Sequence, residues 1–141
     1  MSKISIEQFN KIIAQELPWA NDIGVRLDHI ESGQATMRLP YDERSTRPGG
    51  TISGPHMMLL ADACMYAVVL GLIGEKKLAV TTNLNINFLR KPSQCDLIGI
   101  GNIIKLGKRL AVIEVDVITS DSGKKVAHAT GTYSIPPKKK C

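Results

Sequence analysis

Between Gly54 and Gly74 nearly every residue is apolar or small, and Asp62 is the only formal charge in the stretch. A helix that is hydrophobic on every side has two homes, the interior of a protein or a lipid bilayer. Asp62 interrupts the apolar run before it reaches the roughly 18 residues that a membrane span takes. The segment is therefore expected to be a core helix. A chain of 141 residues has room for one domain, so the rest of that domain must cover the helix.

The flanking sequence supplies the cover. Ser5-Ile6-Glu7-Gln8 is a capping-box pattern that predicts a helix start. Ile6, Phe9, Ile12, Ile13 and Leu17 follow at spacings of three and four, and Pro18 ends the pattern. Ile23 to Ile30 and Gln34 to Leu39 alternate polar and apolar residues around Glu31-Ser32-Gly33 and predict a hairpin. Tyr41 to Gly50, with Arg44, Arg47, Pro48 and two glycines, has the composition of a loop.

Beyond the long helix, Leu78–Leu89, Cys95–Lys105, Leu110–Thr119 and Lys125–Ile135 each alternate with period two. The turns at Gly107 and Gly123 place a glycine where a tight hairpin needs positive φ. On the last strand Ala127, Ala129 and Gly131 share one face, where small side chains either let a helix come close or simply mark a sheet edge. The expectation is an α+β domain over residues 1–135, an antiparallel sheet wrapped around one long central helix. A basic tail, 136–141, with two prolines and three lysines, is read as frayed.

Composition narrows the function. The net charge is +5, yet aromatic residues make up only 4% of the chain, too few for base-stacking platforms, so no nucleic-acid partner is expected. Besides the tail, positive charge gathers in Arg90-Lys91 and in Lys105, Lys108 and Arg109, beside turns where it can meet an anionic ligand. The three cysteines, Cys64, Cys95 and Cys141, show no CxxC spacing and predict neither a disulfide framework nor a zinc site. His29 and His128 share no ligand spacing with them, so no metal is expected. The N-terminal segment is amphipathic rather than apolar, and a cytoplasmic protein with no membrane partner is expected.

Gly50-Thr51-Ile52-Ser53-Gly54-Pro55-His56-Met57-Met58-Leu59-Leu60-Ala61-Asp62-Ala63 resembles the start of the central helix in hotdog-fold thioesterases of the PaaI-like family. Ala79 to Arg90, with its Asn85-Ile86-Asn87-Phe88, is similar to the family's strand after that helix, and Asp121 to Tyr133 to its closing hairpin. The resemblance spans roughly residues 20 to 135 in the right order. It implies the hotdog fold, a homodimer paired edge to edge or a dimer of dimers, and two active sites at the dimer interface. The implied reaction is hydrolysis of acyl-CoA thioesters to free acid and CoA, with no cofactor.

An ionised carboxylate among apolar side chains costs several kcal/mol unless it is paired or hydrated. Asp62 is thus either a satisfied structural group or a base facing a substrate cleft, and the resemblance implies the second, as general base or as nucleophile. The resemblance also implies that the Gly54 N–H, at a helix N-terminus, polarises the thioester carbonyl, and that Thr81, or Thr82 if the register differs, positions water. On the Leu78–Leu89 strand Thr81, Asn83, Asn85 and Asn87 alternate with apolar neighbours and are expected to face away from the core.

Arg90, Lys108 and Arg109 are expected to meet CoA phosphates, with Arg47, Ser53 and His56 lining the pocket. Two departures from the family pattern stand out. The usual His-Gly-Gly reads Ser53-Gly54-Pro55, which removes one donor N–H, and the asparagine of many relatives is Arg47. They leave a non-catalytic acyl-CoA-binding hotdog protein as the alternative reading.

Overall fold

The computed structural model describes residues 1–76 and 78–137. Lys138 to Cys141, most of the expected tail, lie outside them. Helix α1, Ile6–Glu16, opens as the capping box requires: the Gln8 N–H donates to Ser5 Oγ at 3.0 Å and the Ser5 N–H to Gln8 Oε1 at 2.8 Å. Phe9, Ile12 and Ile13 are its buried face. Pro18 does not simply end this helix. It opens a second, short helix, α2, Pro18–Asp22, because the first helical position needs no N–H and suits proline's fixed φ.

Strands β1, Arg26–Glu31, and β2, Gln34–Leu39, form the expected hairpin, with Gly33 at φ 85°. A single 3-10 turn at Glu43–Ser45 interrupts the loop before helix α3, Gly54–Ile73. Strands β3, Val80–Phe88, β4, Leu97–Leu106, β5, Leu110–Thr119, and β6, Lys125–Ser134, complete the chain. The six strands form one sheet in the order β1-β2-β4-β5-β6-β3, every neighbouring pair antiparallel. The described residues thus form the expected α+β hotdog architecture, with β1 and β3 as sheet edges. Gly123 takes the positive φ foreseen for its turn, at 69°. Gly107 does not: its N–H closes the β4–β5 turn by donating to the Leu110 carbonyl at 2.8 Å. A Cβ there would lie 3.3 Å from that same oxygen, so glycine serves close approach rather than handedness.

Small residues seat α3 on the sheet. A Cβ on Gly101 of β4 would stand 2.9 Å from Cys64 Sγ, and one on Gly131 of β6 would stand 2.6 Å from Met65 Sδ and 3.0 Å from the Asn83 carbonyl. Ala127 and Ala129 are fully buried on the same face of β6. Cys64, enclosed here, has its thiol pushed up to about 12 by burial, which keeps it protonated and inert as a nucleophile. By length and hydropathy α3 would pass for a membrane span, but most of it is covered by the sheet.

The cover is incomplete along one stripe. Pro55 and Met58 are exposed, and Leu59, Asp62 and Ala63 are half-buried, positions three and four apart that fall on one helical face. The nearby edge strand β3 leaves Val80 and Phe88 about half exposed as well.

The packing of α3 against β6 gives the first test. Gly131→Ala should destabilise the protein by about 1–3 kcal/mol, because the added methyl meets backbone as well as a flexible side chain. Urea denaturation measures this, and an unchanged midpoint would show that helix and strand are not in close contact.

Candidate active site

Asp62 lies on the open stripe of α3 with its carboxylate held from one side. The Thr81 hydroxyl donates to Oδ1 at 2.7 Å, and the Tyr133 hydroxyl donates to the same Oδ1 at 2.8 Å and stands 3.1 Å from the Asp62 carbonyl. Among the described residues no cation pairs with Asp62 and Oδ2 has no donor. Two hydroxyls therefore fix the carboxylate's orientation while its second oxygen remains available. Burial and then the adjacent Asp62 charge drive the Tyr133 phenol far above its ordinary value, so Tyr133 stays a donor. Its ring stacks on Tyr66, centroids 6.1 Å apart.

A β-bulge sets this geometry. Thr81 pairs with Tyr133 and Asn83 with Thr132, leaving Thr82 as the extra residue. Beyond the bulge Leu84 and Ile86 pack on the core, while Asn83, Asn85 and Asn87 are exposed. The expectation that Thr81 shares the outer face with the three asparagines fails, because the bulge shifts the alternation by one residue and returns Thr81 to the helix side. The bulge also resolves the register: Thr82 donates instead to the Thr132 carbonyl at 3.2 Å. A cavity of about 510 Å³ opens over Asp62, with Leu17, Trp19, Leu59 and Val80 among its apolar walls.

Helix α3 begins at Ser53, whose hydroxyl caps it. The Ser53 N–H donates to the Ser45 carbonyl at 2.9 Å, Pro55 has no N–H, and the His56 N–H donates to Ser53 Oγ at 3.4 Å. Among the described residues this leaves the Gly54 N–H without an acceptor. A Cβ on Gly54 would lie 3.2 Å from the Phe88 ring, so glycine is what lets this end sit under β3. The preceding loop is tied down by Asp96, which accepts the Tyr41 N–H at 2.7 Å, and by the Tyr41 hydroxyl and Gln94 amide, which both donate to the Gly50 carbonyl.

Arg47, Arg90 and Lys91 surround Gly54 in a separate cavity of about 400 Å³. Thr51, which also lines it, keeps its hydroxyl buried without a partner. His56 Nδ1 lies 2.6 Å from Ser53 Oγ and so completes the helix cap rather than facing Asp62. Lys108 and Arg109 are elsewhere, lining a third cavity with residues from the C-terminal end of α3. The described residues contain no cluster of ligating side chains able to hold a metal.

Tyr133 is the functional candidate that reading the sequence missed. Its signal was present: it continues the Ala127, Ala129, Gly131 face by one further step of two, which brings its hydroxyl to the helix at Asp62.

The thioesterase superfamily model matches residues 49–126, which include α3, β3, β4 and β5. A solved structure from Silicibacter sp. TM1040, named "putative thioesterase", is 40% identical, covers 97% of this chain and 95% of its own, and superposes with a TM-score of 0.87. A protein of Saccharolobus solfataricus named "putative esterase" is 29% identical over 94% of this chain and 86% of its own length. The phenylacetic acid degradation protein PaaI of Thermus thermophilus, at 22% identity and a TM-score of 0.75 over 84% of this chain and 99% of its own, shares the fold. The chain belongs to the thioesterase superfamily of hotdog-fold hydrolases.

Proposed function

We propose that the protein hydrolyses acyl-CoA thioesters to free acid and CoA, with Asp62 as general base. The observation that carries this reading is the carboxylate on the open stripe of α3, oriented through Oδ1 by Thr81 and Tyr133 and free at Oδ2. A water held between Oδ2 and the Thr81 hydroxyl gives up a proton to Asp62 as it attacks the thioester carbonyl. The negative charge that develops on the carbonyl oxygen is met by the Gly54 N–H and the positive end of the α3 dipole. The proton on Asp62 then serves the departing CoA sulfur. The apolar cavity over Asp62 suits the acyl group, and Arg47, Arg90 and Lys91 suit the CoA phosphates.

Base and oxyanion donor cannot come from one chain. Gly54 and Asp62 are eight residues apart on one helix, about 12 Å along its axis, whereas both must stand within about 3 Å of the same reacting group. A two-fold homodimer resolves this by bringing the partner's Gly54 to Asp62. The surface that would form it is apolar where such an interface should be: Met58, Val80 and Phe88 are exposed beside the unpaired edge of β3. A dimer of dimers retains the same paired sites. The protein is read as cytoplasmic, where acyl-CoA substrates occur.

A non-catalytic acyl-CoA-binding role is the second reading, favoured by Pro55, which leaves Gly54 as the sole free donor of the first turn. Turnover of an acyl-CoA panel by the purified protein separates the two.

Asp62→Asn keeps size and polarity but cannot take a proton. It should fold normally, since Asp62 is in no ion pair with a described residue, and should lose about 10²–10⁴-fold in turnover. Wild-type rates in a folded variant would make Asp62 structural. Replacing Arg90 and Lys91 together by alanine should raise KM for CoA esters, the effect shrinking as salt rises, with kcat little changed. An equal loss in kcat would place them at the reacting group instead.

A further inference from the structure

We propose that the cavity at the C-terminal end of α3 is a second ligand site, one that binds an alkyl chain ending in a single anionic head. The cavity is about 790 Å³ and shares no lining residue with the Asp62 or Gly54 cavities. Four of its lining side chains, Lys3, Lys76, Lys108 and Arg109, are cationic, and none of the described ones is acidic. Its floor is apolar, made by Leu72 and Ile73 of α3 with Leu106 of β4 and Ile135.

Four chain segments meet to build this site, and backbone hydrogen bonds hold them in pairs. The Lys3 N–H donates to the Gly71 carbonyl at 2.8 Å, which fastens the N-terminal arm to the helix end. The Ile135 N–H donates to the Arg109 carbonyl at 2.8 Å, which fastens the segment after β6 to the β4–β5 turn. The negative end of the α3 dipole favours one or two nearby cations. Four in one concavity exceed that, and their mutual repulsion is relieved by an anion bound among them. The apolar floor selects the rest of the ligand, because a bare inorganic anion would leave it wet.

None of the described lining residues carries a carboxylate, imidazole, thiol or hydroxyl group, which fits binding rather than hydrolysis. Nor does any described lining residue carry an aromatic ring for base stacking, which disfavours single-stranded nucleic acid. The assignment does not depend on the proposed reaction, although the free acid that reaction releases is of the same chemical class.

Octanoate, titrated into the full-length protein and followed by amide chemical shifts, tests the assignment. Saturable binding is expected, with shifts at Leu72, Ile73 and the Leu106 to Arg109 turn. Lys108→Ala with Arg109→Ala, both on an exposed turn, should weaken it about tenfold or more, and Leu106→Ser should weaken it too. Octanol, which has the chain without the charge, should bind at least about tenfold less tightly. The assignment is overturned by an absence of saturable binding, by shifts confined to the Asp62 cleft, by equal affinity for octanol, or by variants that bind as well as wild type. Retention on phosphatidylglycerol vesicles without binding of octanoate would also overturn it, in favour of a bilayer surface.

Discussion

A helix with hydrophobic side chains on every side is stable in water only when the rest of the protein covers it, here with a sheet curved around it, and this requirement governs the whole molecule. The six strands have to approach α3 closely, which is why Gly101 and Gly131 stand where a methyl would strike Cys64 or Met65. Closure is incomplete because β3 and β1 are the ends of an open sheet. The uncovered stripe of α3 runs beside β3, and the one charge of the helix sits on that stripe. Asp62 thus avoids the penalty of full burial while remaining flanked by apolar walls.

The charges of the molecule are sorted along this helix. The first turn offers an unpaired N–H at Gly54 with Arg47, Arg90 and Lys91 around it. The middle carries the carboxylate, and the last turn faces Lys3, Lys76, Lys108 and Arg109. The acyl-CoA of the proposed reaction would place its phosphates near these cations and its acyl group over the carboxylate, provided that two copies of the helix lie side by side. The spacing between Gly54 and Asp62 is therefore the strongest argument for a two-chain site.

Much of the fold was legible because its signals are local. The capping box at Ser5, the hairpin about Gly33 and the period-two strands all follow from neighbouring residues, and the single apolar helix dictated what the strands enclose. Other features were not legible, each for a physical reason. Pro18 both stops one helix and starts another, and only the backbone path distinguishes those roles. Gly107 looks like any turn glycine, yet it serves close approach to Leu110.

The bulge at Thr82 leaves no mark in the polar-apolar pattern, so Thr81 was assigned to the wrong face although its place beside the carboxylate was anticipated. Tyr133 continues the inward face of β6, but only the packing of that strand on α3 brings its hydroxyl to the Asp62 carboxylate. The cation clusters were legible as charge but not as position: Arg90 and Lys108 read alike in sequence and lie in different cavities.

The central claim, a site shared between two chains, is tested most directly by mixing two inactive variants. Asp62→Asn lacks the base. Gly54→Pro lacks the donor N–H; Ser53 already has the extended φ −74°, ψ 157° that precedes proline, and the half-exposed Phe88 ring, which a Cβ there would meet at 3.2 Å, has to move aside. After exchange of subunits at equal concentration, half of the dimers are mixed, and each holds one site with both groups intact. Thioesterase activity should rise from the background of either variant to about a quarter of wild type. Failure of two folded, exchanging variants to restore any activity would contradict a site built from two chains.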